Sequence, residues 1–171
     1  MSEILEKARK YEMEERMKIA QANRPVYHFS NPVGWMNDPN GFSDYKGEHH
    51  LFFQYYPYAT HWDSMHWGHA KSTDFIKWEY LPAALAPDQD YDNFGVFSGS
   101  AIEDGDKQIL IYTGVEEKVV KNGGKCIRQN QCVAIGNGVE YEKIENNPVV
   151  TADMLPEGSS LEDFRDPKVW K

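Results

Sequence analysis

Residues 35–41, Trp-Met-Asn-Asp-Pro-Asn-Gly, hold one carboxylate, Asp38, within a run from Asn37 to Gly41 whose residues all favour tight turns. Asp38 is either the cap of its own turn or a carboxylate aimed at something. A plain turn has no use for a Trp and a Met directly before it. An ionised carboxylate with hydrogen-bond donors around it, such as Asn37, can act as a nucleophile. Asp166, in Arg165-Asp166-Pro167, has a comparable frame. It is either half of a structural Arg–Asp pair or a carboxylate that Arg165 keeps ionised while also reaching a ligand. The six histidines show no metal-binding spacing, and His49-His50 alternate faces on a strand, so no metal and no cofactor is expected. Cys126 and Cys132 lie six apart on one predicted strand, too far to bridge, and read as free thiols.

The elements that must position these groups are mostly strands. The 171 residues fit one domain with a real core. Aromatics make up 13%, with 10 Tyr, 8 Phe and 5 Trp, and short aromatic runs separated by Gly, Asn and Asp lean towards β structure. Rings also suit carbohydrate sites. The net charge of −9 argues against nucleic acid, and no apolar run is long enough for a membrane span. The opening residues lack the apolar core of a signal peptide, and the expected location is cytoplasmic.

Residues 3–22 are expected as one helix with a weak apolar stripe of Ile4, Leu5, Ala8, Met13, Met17 and Ala20, capped by Ser2 and stopped by Pro25. Residues 1–25 are therefore assigned to helix and linker, and 26–171 to a β domain. Strands are expected at 50–56, 66–71, 96–102, 108–114, 126–135 and 139–144, with a hairpin turn at Asp104-Gly105. Shifts of 58, 64 and 128 residues overlay Gly41 on Gly99, His66–Ser72 on Asn130–Gly136, and Asp38-Pro39 on Asp166-Pro167. Units of about 60 residues with four strands each have the size of β-propeller blades. The chain then holds about two blades and the first strand of a third. In this register the first strands bring Asn37 and Asp38, Phe97 and Ser98, and Arg165 and Asp166 to one mouth.

The motifs together, WMNDPNG, FFQYYP, MHWGHA, FSGS and FRDPKV with Trp62 between them, resemble glycoside hydrolase family 32, the β-fructosidases. The resemblance runs from about Tyr27 onward. The helix before it is similar to that of bacterial sucrose-6-phosphate hydrolases. It implies an all-β, five-bladed β-propeller, present here in part with an N-terminal α-helix. It also implies retaining hydrolysis of β-D-fructofuranosides through a covalent fructosyl intermediate. By this resemblance Asp38 is the nucleophile and Asp166 the transition-state stabiliser. Trp35, Asn37, Gln54, Trp62, Phe97, Ser98 and Arg165 become substrate-binding positions. Trp35 also reads as a packing residue, as do Trp67 and Trp78.

A retaining glycosidase needs a second carboxyl group as acid and then base. In the family this is a Glu followed by Cys, and no Glu-Cys pair occurs in these residues. Glu157 and Glu162 precede Arg165 and do not match that position. The expectation is therefore a truncated domain lacking the general acid/base, with a fructoside as ligand and little or no activity by itself. The alternative is a non-catalytic fructoside-binding piece that self-associates through open propeller edges. Hydrolysis and fructosyl transfer, and the choice between sucrose, its 6-phosphate and fructans, are both open at this stage.

Overall fold

The computed structural model describes residues 1–120, 123–160 and 163–171, and Glu162 lies outside them. Two four-stranded antiparallel meanders account for most of the chain. The first holds β1 (Trp35–Tyr45), β2 (Glu48–Tyr56), β3 (His66–Ser72) and β4 (Glu79–Leu85). The second holds β5 (Gly95–Asp104), β6 (Lys107–Val119), β7 (Lys125–Gly136) and β8 (Tyr141–Lys143). Each sheet is ordered as its strands occur in sequence, the build of a propeller blade. Tight connections fix the register. Lys46 and Gly47 adopt φ of 50° and 80° between β1 and β2, and Gly105, at φ 62°, supplies the turn after Asp104.

The blades stack face to face through Phe52 and Trp67 from one and Leu110, Tyr112 and Cys132 from the other. A polar knot closes the outer side of this interface. Lys143 Nζ of β8 donates to Ala86 O (2.7 Å), Asp88 Oδ1 (2.5 Å) and Asp92 Oδ2 (2.6 Å) on the connection between the blades. Cys126 is half-buried and Cys132 buried, both as free thiols.

Helix α1 spans Glu3–Arg16, six residues shorter than its expected end. The chain tightens after Arg16, where Lys18 N–H bonds to Glu15 O at 3.0 Å and Ile19 N–H to Arg16 O at 3.3 Å. The predicted stripe is also corrected. Leu5, Ala8 and Glu12 are buried, while Met13 and Met17 face solvent. The reason lies in β4, whose register against β3 jumps between Trp67↔Leu85 and His69↔Leu81. That irregularity leaves the Ala83 peptide to the helix. Ala83 N–H donates to Glu12 Oε1 (2.9 Å), and Ala83 O accepts from Arg9 Nε (2.9 Å). A polar residue thus sits on the docking face because it meets a backbone donor rather than an apolar surface.

Strand β4 is not among the expected strands, and its Pro82 is a residue that a strand interior disfavours. An edge position tolerates it. Strand β8 is shorter than the expected 139–144. Residues 165–171, expected as the first strand of a further blade, take no ladder pairing among the described residues. They are fastened to the second blade by side chains instead.

Candidate active site

The turn-forming residues 37–41 lie in a strand, not a turn. In β1, Met36 pairs with Tyr55 and Pro39 with Phe53, so Asn37-Asp38 carry one residue too many for the ladder. In β5, Phe97 pairs with Thr113 and Gly99 with Tyr112, so Ser98 is the extra residue there. Both first strands therefore bulge, and β1 has a second irregularity between Asn40 and Ser43. A bulge bends the strand and re-aims a side chain out of the alternation. Asp38 stands exposed on its bulge and Ser98 half-buried on the other. Gly99 allows the second bulge to close, because a Cβ at that position would lie 2.0 Å from Ile111 O.

The neighbouring candidates are held from both blades. Trp35 Nε1–H donates to Asn37 Oδ1 at 2.8 Å, which turns the nitrogen of that amide away from the indole. Gln54, 3% exposed, donates from Nε2 to Val96 O at 3.1 Å. Trp67, expected only to pack, also fixes the bulge by donating from Nε1 to Phe97 O at 3.0 Å. Trp62 remains 44% exposed, its ring edge-on to Phe97 at 6.0 Å and tilted against Phe94 at 6.1 Å. This leaves an aromatic face open beside the polar groups.

The third segment joins through a continuous chain of hydrogen bonds. Asn40 Nδ2 reaches Ser98 Oγ at 3.5 Å, Ser98 O accepts from Thr113 Oγ1 at 3.1 Å, and Thr113 Oγ1 accepts the Asp166 N–H at 3.0 Å. The structure thus links the Asp38 strand, the Ser98 strand and Asp166, three places that sequence alone related only by repeat register. Arg165 does not pair with Asp166 here. Its guanidinium donates to Asp163 Oδ1 at 2.7 Å, and that bond raises the Arg165 pKa and lowers that of Asp163. Asn40, Ser100, Thr113 and Gln131 were all missed. Each is buried and polar; Asn40 and Ser100 sit inside the motifs WMNDPNG and FSGS, whereas the neighbours of Thr113 and Gln131 give no hint of them.

Among the described residues no cluster of His, Cys, Asp and Glu could hold a metal ion. The buried pair His50 Nδ1···His69 Nε2 (2.9 Å) belongs to the core, and burial lowers both pKa values. No helix among the described residues is long and apolar enough to cross a membrane.

Residues 28–171 match the glycosyl hydrolases family 32 N-terminal domain. The chain belongs to this family. Among relatives of family 32, a sucrose-6-phosphate hydrolase of Zymomonas mobilis is 46% identical over 149 residues, 86% of this chain and 28% of the relative. A Bombyx mori GH32 beta-fructofuranosidase, solved as a mutant in complex with sucrose, superposes with a TM-score of 0.83 at 44% identity. The match covers 97% of this chain and 34% of that one. A Lactobacillus gasseri sucrose-6-phosphate hydrolase superposes at 0.74 with 36% identity, over 95% of this chain and 32% of that one. The chain thus spans about a third or less of the length of these family 32 proteins. The two meanders are blades of the family's five-bladed propeller.

Proposed function

We propose that the mouth built by the two bulges and Asp166 binds the fructosyl unit of a β-D-fructofuranoside and supplies two of the three carboxyl groups of a retaining fructosidase. Asp38 attacks C2 of the fructosyl ring as the C2–O bond to the leaving sugar breaks, its electron pair passing to the leaving oxygen, which takes a proton from the acid. Water then attacks C2, gives its proton to the conjugate base and releases Asp38. Asp166 accepts hydrogen bonds from ring hydroxyls that tighten as positive charge develops. Trp62 and Phe97 wall the ring, and Asn37, Gln54, Ser98 and Arg165 meet its hydroxyls. The hydrogen-bond chain from Asn40 through Ser98 and Thr113 to Asp166 carries this reading.

These 171 residues contain no Glu-Cys pair. Full turnover then needs an acid from outside them, and the chain alone binds fructose with little or no hydrolysis. The test is fructose release from sucrose 6-phosphate, sucrose and a short fructan by this chain beside Asp38→Asn, with fructose binding followed by NMR. The expected result is binding with release no greater than in the variant. Failure to bind fructose overturns the reading.

A second reading has its own observation. On the face of the second blade turned away from the first, the opposed pairs Ile109–Ile135 and Ile111–Val133 stay half-exposed and join neither core cluster. In this reading two copies cover that face for each other. Mass measured by light scattering from micromolar to millimolar concentration then rises towards the dimer, and a constant monomer mass refutes it.

A further inference from the structure

Asp166 stands in a conformation that its own sequence resists. Its φ is 63°, in the left-handed region, and the following Pro167 disfavours helical backbone at the preceding position. Such a conformer persists only where its surroundings over-determine it. Here three side chains of the second blade do so. Thr113 Oγ1 accepts the Asp166 N–H. Gln131 Nε2 donates to Phe164 O at 2.8 Å, two residues earlier. Ser100 Oγ donates to Pro167 O at 2.8 Å and accepts the Val169 N–H at 2.9 Å, one and three residues later. Thr113 is 0% exposed, Gln131 5% and Ser100 6%. Ser100 closes the FSGS motif, while Thr113 and Gln131 lie in no motif that named the site.

We propose that Thr113 is a positioning residue that sets the aim of Asp166 and ties it to the Ser98 bulge. The proposal rests on Asp166 being the stabiliser of the fructosyl site. Among the described residues Thr113 alone is bonded both to Asp166 and to the extra residue of β5, since its hydroxyl accepts from the first and donates to the carbonyl of the second. Its place opposite Phe97 in the ladder puts this hydroxyl directly under the bulge. A hydroxyl, with one proton to give and lone pairs to receive, is the smallest group that can do both. Valine fills the same space and does neither.

The test uses this 171-residue chain, isotopically labelled, as Thr113→Val and Thr113→Ser beside the parent. Amide hydrogen exchange is read at Asp166 and, as a control for global stability, at the core residue Leu110. D-Fructose is the probe for binding. In Thr113→Val, Asp166 exchange rises about tenfold and fructose binding weakens about tenfold, the size of one lost hydrogen bond. Leu110 exchange stays at the parental rate, and Thr113→Ser restores both readouts to within about twofold. Unchanged Asp166 exchange in Thr113→Val overturns the proposal, and so does an equal rise at Leu110, which marks a merely structural residue. Failure of the parent to bind fructose removes the fructoside reading, while the exchange comparison still decides whether Thr113 holds Asp166.

Discussion

In the proposed site Asp38 and Asp166 are presented by different backbone devices. Asp38 is presented by an extra residue in a ladder, Asp166 by a left-handed φ before a proline. Their substitutions should therefore differ. Asp166→Asn keeps a side chain that tolerates the left-handed region, so unfolding free energy should stay within about 0.5 kcal/mol of the parent. Fructose binding should still fall, because the acceptor has lost its charge. Asp166→Val should lose binding and also stability, by about 1–3 kcal/mol, since a β-branched residue is strained there. Urea unfolding and fructose titration of both variants check this, and equal stability of the two would count against a strained Asp166. The chemistry-bearing types were legible because Asp, Asn, Arg and aromatics stand out in short motifs. The residues that aim them were not. Thr113 and Gln131 look like ordinary strand residues until pairing puts them beneath the site.

At the level of elements, strands were readable from aromatic and β-branched runs and from Asp104-Gly105, while bulges were not, because an extra residue exists only relative to a partner strand. The helix face was misread for a similar reason. Its burial of Glu12 makes sense only once the Ala83 peptide is found unpaired in β4. Burial raises the Glu12 pKa from 4.5 to about 7, against the lowering effect of the Ala83 N–H and of Arg9 and Arg16. The folded chain thus holds this proton more tightly than the unfolded chain does. The resulting stability is fully present below pH 4.5 and is lost as pH rises to about 7. The loss amounts to about 3 kcal/mol at most. Buried His66, its pKa lowered to about 4, acts in the opposite sense over an overlapping range. The difference between parent and Glu12→Gln isolates the helix contribution. Glu12→Gln should gain stability relative to the parent between pH 5 and 8, measured by urea unfolding at each pH, and a pH-independent difference would show that Glu12 keeps its ordinary titration.

Across the whole molecule, the two blades are joined by an apolar face, by hydrogen bonds such as Gln54 to Val96 O and Trp67 to Phe97 O, and by the polar knot around Lys143. Burial raises the pKa values of Asp88 and Asp92, and Lys143 opposes it. The opposition brings Asp88 below its ordinary value and leaves Asp92, which is 0% exposed, above it. Lys143→Met removes the cation and strands both carboxylates. It should cost about 3–5 kcal/mol at pH 7 and less at pH 4, where the carboxyl groups take up protons. Chemical unfolding at the two pH values tests it, and a pH-independent loss would mean that packing of the lysine stem outweighs its charge.

The same long reach sets an order of events in time. Helix α1 leaves the ribosome before the strand it fastens, since Arg9 and Glu12 meet the Ala83 peptide more than seventy residues later, and Arg9 meets the Glu140 carboxylate later still. Until β4 has formed, both side chains stay in water on a short helix that is marginal alone. The element nearest the start of the chain is thus among the last of the first blade to dock. It works as a clasp shut over a finished sheet rather than as a nucleus for it.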